Sequence, residues 1–209
     1  MSKDEDRVFY WLAAETGLRA GELAGLKLSD IDGERLTINR SVWHSQEQTP
    51  KTNNALRTLA LSPQLIALLW EQIARQKKRE HEYLFSTEAG TPRDMDVYRR
   101  RKMVPLLTKL SMPCAGYHAF RHFNVSLLDA LRAPLKVIQE RAGHALTGSF
   151  TLDVYGGHPE WDRNLEAARN AGAEIEKAVA KAEAELAEKT TNSERLTAIS
   201  ETGSGVAIS

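Results

Sequence analysis

Apolar residues recur at intervals of three and four through most of this 209-residue chain, while strand formers collect in one place. That pattern points to an α+β fold that is mainly α-helical, with a small antiparallel β-sheet near the N-terminal third. Between Asp6 and Thr16, Val8, Phe9, Leu12 and Ala13 share a helical face, and Gly17 follows as a C-cap. "RAGELAGLKLSD" resumes helical spacing. "RLTINRSVW" and "LRTLAL" are rich in strand formers and bracket "HSQEQTPKTNNA", a polar stretch that predicts a hairpin loop. Ser62-Pro63 is an N-cap and first-turn pair that opens a helix through Leu65, Ile66, Leu69 and Ile73. "MDVYRRRKMVPLLTKL", "HAFRHFNVSLLDAL", "APLKVIQERAG" and "LTGSFTLDVYG" are further short amphipathic segments, divided by Pro, Gly or Ser.

The length fits one main domain with an appendage, expected as residues 1–163 and 164–209. After Trp161 the composition turns to Ala, Glu and Lys, and Leu165, Ala168, Gly172, Ile175, Val179, Ala182 and Leu186 form a heptad seam. Alanine and glycine bury little area. The seam therefore predicts a helix laid against this domain or a neighbouring copy, not an isolated coiled coil, and the final "TGSGVAIS" is expected to be disordered.

No apolar run reaches the roughly 18 residues of a membrane helix, and the N-terminus lacks the layout of a secretion signal, so a cytoplasmic protein is expected. The single cysteine, Cys114, can form neither an internal disulfide nor a Cys-only zinc site and is expected to be a small buried hydrophobe. Basic and acidic residues balance at 28 each, which by itself gives no warrant for a nucleic-acid partner. Bases nevertheless outnumber acids between Asp96 and His144, with Arg99, Arg100, Arg101 and Lys102 in one run, and acids prevail after Asp153. Alone, such a run is a solvated helix face or a weak sign of a phosphate-binding surface.

The octamer "HAFRHFNV" sets two histidines four residues apart with an arginine between them. Histidines at i and i+4 share a helix face, as in the zinc-protease pattern H-E-x-x-H. Here Ala119 stands where that pattern needs a glutamate base. Arg121, charged at any working pH, opposes a dication, so no metal is expected. Arginine with histidine suits an anion, because the planar fork can give two parallel hydrogen bonds to nonbridging phosphate oxygens. For the octamer alone, the plainer reading is preferred: a helix N-terminus whose His118 and Arg121 bond to backbone or acids.

Further pieces shift that balance. "TGLRAGEL" puts Arg19 at a tight turn or helix start, "TPKTNNALRTLAL" puts Lys51 in the hairpin loop, "RAGH" ends in His144, and "LDVYGGH" offers Tyr155. Singly, each has a plainer explanation. Arg19 could pair with Glu22 in the next turn, Lys51 could be a solvated loop charge, His144 a C-cap contact, and Tyr155 a core ring with a surface hydroxyl. In this order, however, they resemble the tyrosine recombinase (phage integrase) family. Its signature is an arginine in T-G-L-R-x-x-E-L, a lysine in P-K-T, then H-x-x-R, G-H and a tyrosine. The resemblance runs from about Thr16 to Gly157.

The resemblance implies the catalytic domain of a site-specific DNA recombinase or integrase, an enzyme that cuts and rejoins DNA strands through a 3′-phosphotyrosyl intermediate without a cofactor. Tyr155 would be the nucleophile. Arg19 and Arg121 would clamp the nonbridging oxygens, His144 would add a donor, Lys51 would be general acid to the leaving 5′-oxygen, and His118 would take or orient the tyrosine proton. Arg99, Arg100, Arg101 and Lys102 are candidate DNA contacts, and His122 is expected to face the interior or bond locally. The implied partners are double-stranded DNA and three further copies in a tetramer, with the segment after Trp161 the candidate for packing in trans. The family usually places a helical domain ahead of this one. The chain begins about fifteen residues before the Arg19 motif, so that domain is expected to be absent. Ala142 replaces the usual leucine before G-H, and the His144–Tyr155 interval is slightly longer than in common members. A different reading is a shortened DNA-binding or recombinase-interacting relic that does not cut.

Overall fold

The computed structural model describes residues 3–44, 46–48, 56–143 and 161–202, with side chains from Asp4 to Glu188 within those ranges. Residues 1–173 form one compact unit and residues 174–209 a second. Helix α1 (Lys3–Thr16) buries Val8, Phe9, Leu12 and Ala13, the face its spacing predicts. The Phe9 ring meets Phe85 edge-on, centroids 5.1 Å apart, and lies 4.7 Å from the ring of Tyr98 and 6.0 Å from that of Tyr117. Burying such a ring stabilises the fold by about 1.5–3 kcal/mol, and each favourable ring pair adds roughly 0.5–1.5 kcal/mol. The helix stops at Gly17, whose φ of +61° suits glycine, and whose amide closes the last turn on the Ala13 carbonyl at 3.0 Å.

Helix α2 (Ala20–Gly25) lies against β3 (Ser41–Trp43). The approach needs glycine at position 21, where a Cβ would fall 2.3 Å from Ser41 Oγ. Strands β1 (Ile31–Asp32), β2 (Arg35–Ile38) and β5 (Arg57–Ala60) make an antiparallel sheet in the order β1-β2-β5, with Leu36 opposite Leu59 and Ile38 opposite Arg57. β3 pairs separately with β4 (Gln46–Gln48).

The expected polar loop is thus partly strand. Gln46–Gln48 are exposed and poor strand formers, so local propensity gives no signal there. Pairing with β3 and the grip on Glu47, which accepts from the Tyr83 hydroxyl and lies 2.9 Å from Lys27 Nζ, hold β4 in place.

Helix α3 (Pro63–Lys78) opens as its sequence predicts: Ser62 Oγ accepts from the Leu65 amide at 3.2 Å. The same hydroxyl donates to Glu15 Oε2 at 2.6 Å, tying α3 to α1. The segment from Met95 onward is α4 (Met95–Tyr98), a π turn (Arg99–Met103) and α5 (Val104–Lys109). Pro105 lacks an amide hydrogen and crowds the turn before it. The wider π turn, closed by the Val104 amide on the Arg99 carbonyl, accommodates it.

Helices α6 (His118–Ala130) and α7 (Leu135–Ala142) pack together, and Leu128, Val137 and Ile138 share a cluster with Ala167 and Ala171 of α8 (Trp161–Thr202). Within the first unit α8 also buries Asn164 and Ala168, and Gly172 sits where a Cβ would lie 2.3 Å from Ser62 Cβ. In the second unit Lys177 pairs with Glu174 at 2.6 Å, and the seam residues Ala182 and Leu186 are exposed. "LTGSFTLDVYG" and most of "TGSGVAIS" lie outside the described residues.

Cys114, expected to be buried, is exposed, its sulfur 3.7 Å from Arg99 Nη2. It follows Pro113 in the connection between α5 and α6, and such connections run over the surface. Among the described residues no helix is long and apolar enough to cross a membrane.

Candidate active site

The last carbonyls of α1 have no partners within the helix, and side chains from α6 and α7 supply them. Arg121 Nη1 donates to the Gly17 carbonyl at 3.1 Å, Asn124 Nδ2 to that of Ala14 at 3.2 Å, and Arg141 Nη2 to that of Glu15 at 3.1 Å. The negative end of the helix dipole favours both guanidinium groups. Arg121 is only 4% exposed, and its Nη2 is buried with no hydrogen-bond partner among the described residues. Burial, then the charge of Arg19, draws its pKa down to about 10, so it remains a cation at neutral pH.

Arg19 is the residue before α2, and Glu22 answers it one turn on. The Arg19 amide donates to Glu22 Oε2 at 2.8 Å and its Nη1 to Glu22 Oε1 at 3.0 Å. Its Nη2 reaches the Gly143 carbonyl at 3.3 Å, just past α7, where φ is +57°. Glu22 is buried, and its carboxylate also takes the fork of Arg57 from β5, at 3.0 Å on each oxygen. Burial alone would raise the Glu22 pKa. The hydrogen bonds and charge of Arg57, then the amide and charge of Arg19, outweigh it and hold the carboxyl below the usual carboxylate range.

Arg19, His118 and Arg121 line one open cavity of about 450 Å³, together with Ser41, Trp43, Gln48 and Tyr117. Tyr117 does not offer its hydroxyl there. That group donates to the Met95 carbonyl at 2.8 Å, and burial raises its pKa above the ordinary phenol value. The cavity therefore joins two guanidinium groups and an imidazole, a set of donors suited to a phosphate. The sequence profile of the Phage integrase family matches residues 2–155. This chain belongs to that family.

The integrase-family chain is 31% identical over 180 residues to a tyrosine recombinase XerC-like protein of Caldanaerobacter subterraneus subsp. tengcongensis, an alignment that covers 71% of this chain and 44% of that one. It is 30% identical over 164 residues to the ICEBs1 integrase of Bacillus subtilis, covering 72% and 44%. The chain thus spans less than half the length of these relatives. Among solved structures it resembles the Tn1549 transposon integrase in complex with circular-intermediate DNA, with TM-score 0.58, 23% identity and coverage of 83% of this chain and 59% of that one. It also resembles the XerA recombinase, with TM-score 0.54, 19% identity and coverage of 79% and 62%. The likeness to the solved structures is one of fold.

Of the six candidate residues of this integrase-family chain, Arg19, His118 and Arg121 are brought together. Lys51, His144 and Tyr155 lie outside the described residues. Gln48, ahead of Lys51, lines the cavity, and Gly143, ahead of His144, accepts from Arg19. Arg100, Arg101 and Lys102 are exposed on the π turn, whereas Arg99 Nε is 3.4 Å from the Ala115 carbonyl. None of these four lines the cavity.

Of the two placements expected for His122, facing the interior or bonding locally, the inward one does not hold: His122 faces solvent. It shares the outer face of α6 with His118, their rings edge-on at 4.7 Å, because Arg121, Asn124 and Leu128 occupy the inner face. His44, Asp94 and Asp96 present ligand atoms within 4.8 Å of one another and could meet a divalent cation, but none of the three lines the arginine cavity.

Arg57 is the residue that sequence reasoning missed. A signal was available: in "LRTLAL" it alternates with Leu59, and period two puts both on the buried face. An arginine in that phase needs a carboxylate partner.

Proposed function

We propose that this chain is the catalytic part of a site-specific recombinase that cuts and rejoins double-stranded DNA. The observation that carries this reading is the shared cavity of Arg19 and Arg121, whose sequence positions are about a hundred residues apart. Tyr155 Oη attacks the phosphorus, forming a 3′-phosphotyrosyl bond as the bond to the 5′-oxygen breaks. The phenolic proton passes to His118, and Lys51 protonates the leaving 5′-oxygen. Arg19 and Arg121 stabilise charge on the nonbridging oxygens, with His144 as a further donor. Rejoining reverses these steps with a 5′-hydroxyl as nucleophile, so the covalent link conserves the bond energy.

A neutral total charge gives the chain no general attraction to DNA. Arg100, Arg101 and Lys102, exposed beside one another, are the proposed phosphate contacts, and their removal should reduce the salt dependence of binding. Assembly as a tetramer on DNA, with the segment after Trp161 packing in trans, belongs to the same proposal.

The test starts from sheared DNA of the source cell. The protein is incubated with it and denatured, protein-linked fragments are sequenced, and the recovered site is rebuilt as a nicked duplex that traps the adduct. Wild type should form an adduct that survives denaturation, and Tyr155→Phe should form none. No adduct from either protein would favour a DNA-binding chain that does not cut.

A further inference from the structure

Glu22 is a hub where two arginines from distant parts of the chain meet. Its Oε1 accepts from Arg19 Nη1 and Arg57 Nη1, and its Oε2 from the Arg19 amide and Arg57 Nη2, all between 2.8 and 3.0 Å. Resting on the recombinase reading above, we infer that Arg57 is a positioning residue for strand cleavage, which aims the Arg19 guanidinium through Glu22 and through the turn at Gly143.

The side chain of Arg19 is 47% exposed, so many rotamers are open to it. A clamp on nonbridging oxygens is effective only if its fork is aimed before the phosphate arrives. Glu22 holds that fork, and without Arg57 the carboxylate would be held only by the Arg19 amide and by the very guanidinium it has to aim. The parallel fork of Arg57 fixes the carboxylate plane.

Arg57 is itself fixed. It sits in β5 opposite Ile38, is buried, and donates from Nε to the Arg141 carbonyl at 3.2 Å. It also borders the second anchor of Arg19. A Cβ at Gly143 would lie 2.8 Å from Arg57 Nη1, and the Gly143 carbonyl is the acceptor for Arg19 Nη2. Both of Arg19's side-chain partners therefore rest on Arg57.

Stability alone does not require an ion pair here, because well-packed apolar residues in place of both partners commonly replace a buried pair without loss. What an apolar residue cannot do is orient Glu22. The charges that face Glu22 are Arg19 at the start of its own helix, Arg57 from β5 and Arg121 from α6, and together they keep it ionised.

The test uses the full chain and the nicked duplex described above, in single-turnover cleavage from about pH 5 to pH 8. Arg57→Met should slow cleavage at least about tenfold at neutral pH while duplex affinity stays within about twofold. The acid limb of its rate profile should move to higher pH, because Glu22 loses the hydrogen bonds and charge that hold it ionised. Adding Glu22→Gln to Arg57→Met should abolish that shift and cost little further rate. Arg57→Lys, which keeps the charge but not the fork, should fall between and serves if Arg57→Met does not fold. A residue that only braces the fold would lower thermal stability without moving the acid limb.

A second readout needs no DNA. In ¹⁵N spectra the Arg19 guanidinium should rotate slowly about its Nε–Cζ bond in wild type and fast in both Arg57 variants. Unchanged Arg19 rotation in these variants overturns the positioning role. Should wild type form no DNA adduct, the recombinase reading fails on its own, and the Arg19 spectra still decide whether Arg57 aims Arg19.

Discussion

Arg121 and Gly17, 104 residues apart in sequence, are joined by one bond from Arg121 Nη1 to the Gly17 carbonyl, and Arg121 Nη2 stays buried without a partner among the described residues. One nitrogen fixes the guanidinium to the end of α1, and the other is the one that, in the proposed reaction, would meet the phosphate. An unpaired buried donor costs about 1–3 kcal/mol, a cost tolerated where a ligand supplies the missing bond.

Arg121→Met should therefore separate stability from function. Burial and Arg19 draw the Arg121 pKa down to about 10, so folding works against this cation, and removing it offsets the lost Gly17 bond. Urea denaturation should give a stability within about 1 kcal/mol of wild type, whereas cleavage falls roughly 10²- to 10³-fold. A loss above about 3 kcal/mol would make Arg121 chiefly a structural tie.

Glu22 should make the fold acid-sensitive. An acid with a lowered folded pKa contributes stability above its unfolded value of about 4.3 and loses it as pH falls through the lower folded value. Wild type should weaken from about pH 5 downward, and Glu22→Gln should weaken less steeply over the same window. At pH 7 that substitution should cost roughly 3–5 kcal/mol, because it removes the carboxylate charge that the buried Arg57 fork pairs with. Parallel curves for the two proteins would show that Glu22 does not titrate with folding.

Gly172→Ala reverses an ordinary rule. In an exposed helix interior that change gains about 1 kcal/mol. Here the new Cβ would lie 2.3 Å from Ser62 Cβ, and Ser62 is held by the Leu65 amide on one side and Glu15 on the other. A loss of about 1–3 kcal/mol in chemical denaturation is expected, and a gain would mean that α8 can shift away from Ser62.

Excess chelator should leave adduct yield unchanged. The proposed charge stabilisation comes from Arg19 and Arg121, and a dication beside them would be repelled. Cleavage lost with EDTA and restored by a divalent ion would direct attention to His44, Asp94 and Asp96.

Much of the fold was legible because local rules and packing agree. Val8, Phe9, Leu12 and Ala13 are buried together, Gly17 ends α1 and Ser62 caps α3, each at the position its chemistry requires. Strand β4 was not legible. Gln46–Gln48 carry no strand signal, and what orders them is tertiary, the pairing with β3 and the contacts of Glu47. The pair Arg19 and Glu22 could be read as an i, i+3 contact and the inward phase of Arg57 from its alternation with Leu59, but its pairing with Glu22 could not, since a single sequence does not say which carboxylate an inward arginine meets. The inward option for His122 fails because position i+4 from His118 follows it to the solvent face, where its contact is the local one with the His118 ring.

The most direct measurement is peptide mapping of the trapped adduct after nuclease digestion. A nucleotide joined through its 3′-phosphate to the Tyr155 side chain is the predicted result. A nucleotide on any other residue, or one joined through its 5′-phosphate, would contradict the assignment of the nucleophile and the direction of cleavage.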